Sequence, residues 1–233
     1  MIKPKHSLIF LTYNHPKLID QRLNEVGQFL DSGHDLEVVA VDNGSSGIDT
    51  RLVLTTHAKK SKFPIRILNL DDNVGFSAGF NKGVFYSEGM KIYLLSDDVA
   101  IFGDFIAYLD DPDIDWERTV IGHRLIPAGA GWNDFAEQSF PYLDGYFFAM
   151  LRTVWDRLGG FDQRFSPHDY EDVDLSHRIK LERELEALAY PGLPIRHSAA
   201  STIGYSDERY ERTVEMRRLF AEKWGLPNVP ERP

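Results

Sequence analysis

SLIFLTYNHP, residues 7–16, decides how the rest of this chain is read. Ser7–Leu11 has the length and composition of a buried strand. It breaks into Thr12, Tyr13, Asn14 and His15, and Pro16 suits the first turn of a helix, where its missing N–H costs nothing. Leu18, Leu23, Val26, Phe29 and Leu30 then recur close to a helical period. The same unit repeats outward. LEVVAV, 36–41, predicts a second strand ending in the turn signal Asp42-Asn43-Gly44, with a helix around Asp49–His57. Ile65–Leu70 predicts a third strand and Phe76–Ser87 a helix. KIYLL, 91–95, predicts a fourth strand that ends at Ser96-Asp97-Asp98. This strand–helix alternation implies an α/β chain with a doubly wound, mostly parallel sheet flanked by helices. Ligands of such sheets sit beyond the carboxyl ends of the strands. Three of those ends carry polar clusters here: Thr12–Asn14, Asp42–Ser45 and Ser96–Asp98.

Regular alternation stops near residue 100, which splits one domain into a first half, 1–100, and a less regular second half, 101–224, followed by a Pro-rich loose tail, 225–233. In the second half Thr119–Leu125 and Glu186–Tyr190 read as strands. Pro127–Trp132 reads as a loop and Tyr142–Leu151 as a buried aromatic segment. Thr153–Leu158 is expected to be a short helix stopped by Gly159-Gly160, and Tyr170–Leu181 another helix. Asp207–Trp224 reads as an amphipathic helix burying Tyr210, Val214, Phe220 and Trp224.

Composition limits the chemistry. No cysteine is present among 233 residues, which excludes disulfides, thiolate catalysis and zinc–thiolate sites. The net charge of −10 argues against nucleic acid as a partner, because phosphate contacts need basic patches; Lys59, Lys60 and Lys62 read as a solvated face. MIKPKHSLIF has too short an apolar run for a signal peptide, and no stretch approaches the roughly 20 apolar residues of a transmembrane segment. The expectation is a cytoplasmic protein, peripheral at the inner face of a membrane only through a partner.

Four constellations could carry chemistry. Asp97-Asp98 follows a buried strand, and on position alone it reads equally as a solvated turn or as a site for a hard cation on a diphosphate. His168-Asp169-Tyr170-Glu171-Asp172-Val173-Asp174 starts a helix. Spacing alone favours a structural reading, with Asp169 as the cap and the other acids at the positive end of the dipole; a general base is the alternative. Gly75, Gly79 and Gly83 make one bare helical face. Tight packing accounts for the last two, while Asn73 and Gly75 precede the helix and are better placed for a ligand. The spacing matches neither a dinucleotide fingerprint nor a P-loop. A lone His197 is more often structural than a ligand, and no Gly-x-Ser-x-Gly elbow supports hydrolase chemistry.

LIFLTYN (8–14), VVAVDNGSSG (38–47), DNVGFSAGFNKG (72–83), IYLLSDDV (92–99), GYFFAMLRTVWDRLGGFDQRF (145–165) and EDVDLSHRI (171–179), with His197 after them, resemble glycosyltransferase family 2, the GT-A fold, in order and spacing. The rhamnosyltransferase-like branch looks most similar. The resemblance implies a nucleotide-sugar-binding first half and an acceptor-side second half. It implies that Thr12 and Asn14 line the nucleotide pocket, that Asp42 bonds the base, and that Asn73 and Gly75 lie along the donor, with Tyr13, Asn81 and Asp97 also on the donor side. It makes Asp98 and His197 ligands of a divalent cation, Mn2+ or Mg2+. It makes Asp172 the catalytic base, with Glu171 alongside. The family's Asp-x-Asp is relaxed here, because Ser96 takes its first position.

The reaction implied by the resemblance is an inverting transfer from a nucleoside-diphosphate sugar to the hydroxyl of a glycan or lipid-linked saccharide, as in polysaccharide synthesis. Asp172 would take the acceptor proton. A nucleotidyltransferase would want a basic Gly-rich loop where Thr12-Tyr13-Asn14-His15-Pro16 stands. The other alternative is a nucleotide-sugar- or glycan-binding module without turnover. Aromatic residues between Trp132 and Phe148 are expected to shape the acceptor side.

Overall fold

The computed structural model describes residues 5–130, 134–198 and 206–227. The first half contains β1 (His6–Thr12), α1 (Pro16–Phe29), β2 (Leu36–Asp42), α2 (Ile48–Lys60), β3 (Ile65–Asn69), α3 (Phe76–Tyr86) and β4 (Lys91–Ser96). The second contains β5 (Val99–Ile101), α4 (Phe105–Tyr108), β6 (Thr119–Gly122), β7 (Leu125–Ile126), β8 (Tyr142–Leu143), β9 (Phe147–Leu151), α5 (Arg152–Leu158), α6 (Glu171–Leu181), β10 (Glu186–Ala189), β11 (Ile195–His197) and α7 (Asp207–Trp224). Both halves feed one seven-stranded sheet, ordered β10-β6-β9-β4-β1-β2-β3. β4, β1, β2 and β3 are mutually parallel, and β9 runs antiparallel between β4 and β6. Two antiparallel pairs, β5 with β11 and β7 with β8, stand off the main sheet.

Alternation along each strand builds a core on each face of the sheet. Leu8, Phe10, Val38, Ala40, Tyr93 and Leu95 face α1 and Phe105. Ile9, Val39, Val41, Ile92 and Leu94 face Phe80, Val84, Phe148 and Trp155. The α1 stripe is Ile19, Leu23 and Val26 rather than one beginning at Leu18, and it includes the buried Arg22. α3 lies unusually close to the sheet. A Cβ on Gly83 would come within 2.7 Å of Ile9 Cγ2 and 2.9 Å of Val41 Cγ2, and one on Gly79 within 2.5 Å of Leu11 Cδ1. The bare glycine face is therefore a packing device at these two positions.

A third cluster joins Phe135, Phe140, Phe165, Tyr170, Met216 and Phe220, seating α7 across the second half. The buried face of α7 is Thr213, Met216, Phe220 and Ala221, whereas the expected Tyr210 is 47% exposed. Trp132 and the end of the Pro-rich tail, 228–233, lie outside the described residues. No helix among the described residues is long and apolar enough to cross a membrane.

Candidate functional site

A cleft of about 600 Å³ opens at the carboxyl ends of β1, β2 and β4, where the parallel topology leaves a crevice. Asp98, His197 and Asp172, distant along the chain, all line it. So do Thr12, Tyr13, Asn14, Asn73, Gly75, Asp97 and Glu171.

The acidic turn after β4 is held from behind. Thr12 Oγ1 donates to Asp97 Oδ2 at 2.7 Å, and the buried Arg22 donates to the Asp97 carbonyl at 3.5 Å while pairing with Glu25 at 2.6 Å. Glu25 in turn accepts from the Ile101 N–H at 2.8 Å. His15 Nδ1 lies 3.6 Å from Asp97 Oδ2, and that carboxylate raises the His15 pKa above its ordinary value. Asp97 is thus a strut as well as a wall. Asp98 is buried, and its Oδ1 has no hydrogen-bond partner among the described residues. Its Oδ2 lies 3.4 Å from His197 Nε2, brought there because β11 pairs with β5 and sets His197 opposite Val99.

Among the described residues no group of three His, Asp or Glu side chains is assembled around a common point. The donor set is nevertheless suited to a hard divalent cation, which typically takes one or two protein ligands and completes its shell with water and substrate phosphate oxygens. The unsatisfied Asp98 Oδ1 supports that fit, since an orphaned buried carboxylate oxygen is costly without a partner.

Beyond the ends of β1 and β2, Asn14 adopts φ 57°, and its side chain accepts from the Ser46 N–H at 2.8 Å, tying the β1 loop to the β2 loop. Asn43 Nδ2 donates to Asn73 Oδ1 at 2.9 Å, and Asn73 Oδ1 accepts from the Gly75 N–H at 2.9 Å. Gly75 has φ 84°, and a Cβ there would sit 2.6 Å from Ser166 Oγ, so glycine lets the start of α3 meet the loop before α6.

Two expected donor residues are placed elsewhere. Asp42 is fully buried behind the wall, accepting from the Ser45 N–H at 2.9 Å and lying 3.6 Å from Arg51; Asn43 takes its place in the lining. Asn81 is a brace, donating to the Phe161 carbonyl at 2.8 Å and accepting from the Phe161 N–H at 2.9 Å. Both ends of its amide join α3 to the segment after the Gly159-Gly160 turn.

The acidic run before α6 also departs from expectation. Tyr170, with φ 75°, occupies the cap position without a side-chain cap. Asp169 is turned away to α7, accepting from Thr213 Oγ1 at 2.8 Å and lying 3.4 Å from Arg209. Asp172 accepts from Val173 N–H at 2.8 Å and from Gly145 N–H at 2.9 Å. Burial, reinforced by the nearby charge of Asp144, pushes its pKa up to about 7. Burial beside Asp172 drives Glu171 well above the usual carboxylate range, and Glu171 Oε2 has no hydrogen-bond partner among the described residues. Two adjacent buried carboxyls resist ionising together.

Sequence reading missed Asp144, Arg209 and Arg212, which line the cleft; Asn43 and Tyr146, also in the lining, were legible only as members of the Asp42–Ser45 cluster and of the aromatic segment before Phe148. For Asp144 the available signal was a single acid before glycine in an otherwise apolar, aromatic run. Burial raises its pKa, against the opposing pull of His197 and Arg124.

Comparison with solved structures finds the same fold at low identity. The mannosyltransferase PcManGT from Pyrobaculum calidifontis, in complex with GDP-Man and Mn2+, is 18% identical with a TM-score of 0.70, covering 99% of this chain and 67% of that one. GalNAc-T7 with UDP, GalNAc and Mn2+ is 15% identical with a TM-score of 0.74, over 94% and 48% of the two chains. TarS of S. aureus is 17% identical with a TM-score of 0.63, over 97% and 41%. The chain therefore spans about two thirds of the first and less than half of the other two. No curated protein matches. The family model for glycosyl transferase family 2 matches residues 7–166, more than half of the sequence, and the chain belongs to that family.

Proposed function

We propose that this chain transfers a glycosyl group from a nucleoside-diphosphate sugar to an acceptor hydroxyl with inversion at the anomeric carbon, the acceptor being a growing glycan or lipid-linked saccharide. The observation that carries this reading is the meeting of Asp98, His197 and Asp172 around one cleft at the sheet's carboxyl edge. Thr12, Tyr13, Asn14, Asn43 and Asn73 offer the donor side its polar wall. Asp98 and His197 would hold a divalent cation, which when bound supplies charge stabilisation to the departing diphosphate. Asp172, with a pKa of about 7, is poised to take the acceptor proton as the acceptor oxygen attacks the anomeric carbon. Its two backbone N–H donors, Val173 and Gly145, fix the carboxylate. Glu171, driven above the usual carboxylate range by burial, lines the cleft beside it and is placed to meet an acceptor or donor hydroxyl.

A thermal-shift screen of nucleoside diphosphates and their sugars with manganese tests the donor half. Ligand linkage stabilises the folded chain by about 3 kcal/mol at a hundredfold excess over Kd, which raises the melting midpoint for a binder. No manganese-dependent shift with any nucleotide would overturn it.

A further inference from the structure

The connection from β8 to β9 is Asp144-Gly145-Tyr146, and it touches both sides of the cleft. Gly145 N–H holds the base, donating to Asp172 Oδ2. A Cβ on Gly145 would lie 2.9 Å from that oxygen, so only glycine permits the approach. The Tyr146 carbonyl accepts from Ser96 N–H at 3.1 Å, at the end of β4. The Tyr146 ring lies flat on the His197 imidazole, with centroids 4.3 Å apart and planes inclined by 19°.

Histidines that bind metals usually have the second ring nitrogen tied to a carboxylate or carbonyl, which fixes the ring. Among the described residues no hydrogen bond reaches the His197 ring. Its orientation is set by the Tyr146 stack. Tyr146 is itself anchored, with its hydroxyl 2.7 Å from His123 Nδ1, while His123 Nε2 lies 3.2 Å from the Pro191 carbonyl. A carbonyl only accepts, so Nε2 carries the proton and Nδ1 accepts from the Tyr146 O–H. The relay runs from a backbone carbonyl through His123 and Tyr146 to His197.

We infer that Tyr146, fixed by His123, is the positioning residue that holds the His197 imidazole with Nε2 toward Asp98. The inference rests on the reading that Asp98 and His197 hold the cation.

The test is a manganese titration of the whole chain, labelled with 15N at histidine, following paramagnetic broadening of the His197 ring signals. Loss of an outer-shell partner typically costs 10–100-fold in metal affinity, so Tyr146→Leu and His123→Ala are expected to need about tenfold more manganese or above. His123→Gln can still accept from Tyr146 and donate to Pro191, and is expected to titrate like the parent. The same spectra are expected to show His123 protonated at Nε2 in the parent. Parent-like titration by Tyr146→Leu and His123→Ala would overturn the inference while leaving the cation site standing. If Tyr146→Leu fails to fold, the His123 pair decides: weakening by Ala with rescue by Gln supports the relay, and parent-like titration by both sinks it. Asp98→Ala separates the two readings, because a titration it leaves unchanged removes the cation site, and the relay's purpose with it.

Discussion

Replacing Asp172 by Asn is expected to do two opposite things: to stabilise the chain at alkaline pH and to remove most of its transfer activity. Asp172 is shifted from 3.8 to about 7 by burial and by the charge of Asp144. The folded chain therefore holds this proton more tightly than the unfolded chain does. Stability is unaffected below the unfolded value, falls as pH rises between the two values, and stays reduced above the folded one. At about 1.4 kcal/mol per unit, the full penalty at pH 8 is about 4 kcal/mol. Asn removes the charge but can accept only one of the two N–H donors now served, from Val173 and Gly145, and the orphaned one costs about 1–3 kcal/mol. The net gain at pH 8 is then about 1–3 kcal/mol, whereas at pH 4, where the charge penalty has almost vanished, the orphaned donor leaves a net loss of about 1–3 kcal/mol. Relief of its neighbour's charge also lets Glu171 ionise more readily. Urea unfolding at pH 4, 6 and 8 measures this directly. Loss of a positioned base costs about 10²–10⁴ in rate, which a donor-consumption assay on the same preparations reads. A variant that keeps the parent's pH slope and near-normal turnover would refute both the strained carboxylate and its role.

Other perturbations probe the neighbours. Asp144→Asn removes a charge that raises Asp172, so the acid limb of the transfer rate is expected to move to lower pH; a pH–rate profile with an unmoved limb would deny the coupling. Gly83→Ala gains about 1 kcal/mol of helix propensity but forces a methyl against the stiff, buried Ile9 and Val41, and overpacking costs about 1–3 kcal/mol. Equilibrium unfolding is expected to show a net loss of up to about 2 kcal/mol, and a stabilised variant would mean that α3 can lift away from the sheet.

Element order and type were legible because they are local. Ser7–Leu11, Leu36–Val41 and Lys91–Leu95 announce strands by apolar continuity, and each became a strand one or two residues longer. The bare face of Gly79 and Gly83 announced close packing. The start of α6 was misread for the opposite reason. Asp169 has the right spacing for a cap, but Thr213 and Arg209, some forty residues on, compete for its carboxylate and win. Asn81 sits within a segment that resembles a donor-binding motif, yet the Phe161 backbone uses both ends of its amide.

Sequence by itself determined the alternation of strands and helices, the parallel sheet that this alternation requires, and the polar residues at the strand ends, because periodicity and turn chemistry act over a few neighbours. Only tertiary structure decided which of those residues share a surface. Asp98 meets His197 because β11 folds back on β5, and Asp172 is pushed to about 7 because it is buried and because the β8–β9 connection brings the charge of Asp144 near it. Burial and charge proximity depend on distances through space, and no spacing along the chain encodes them.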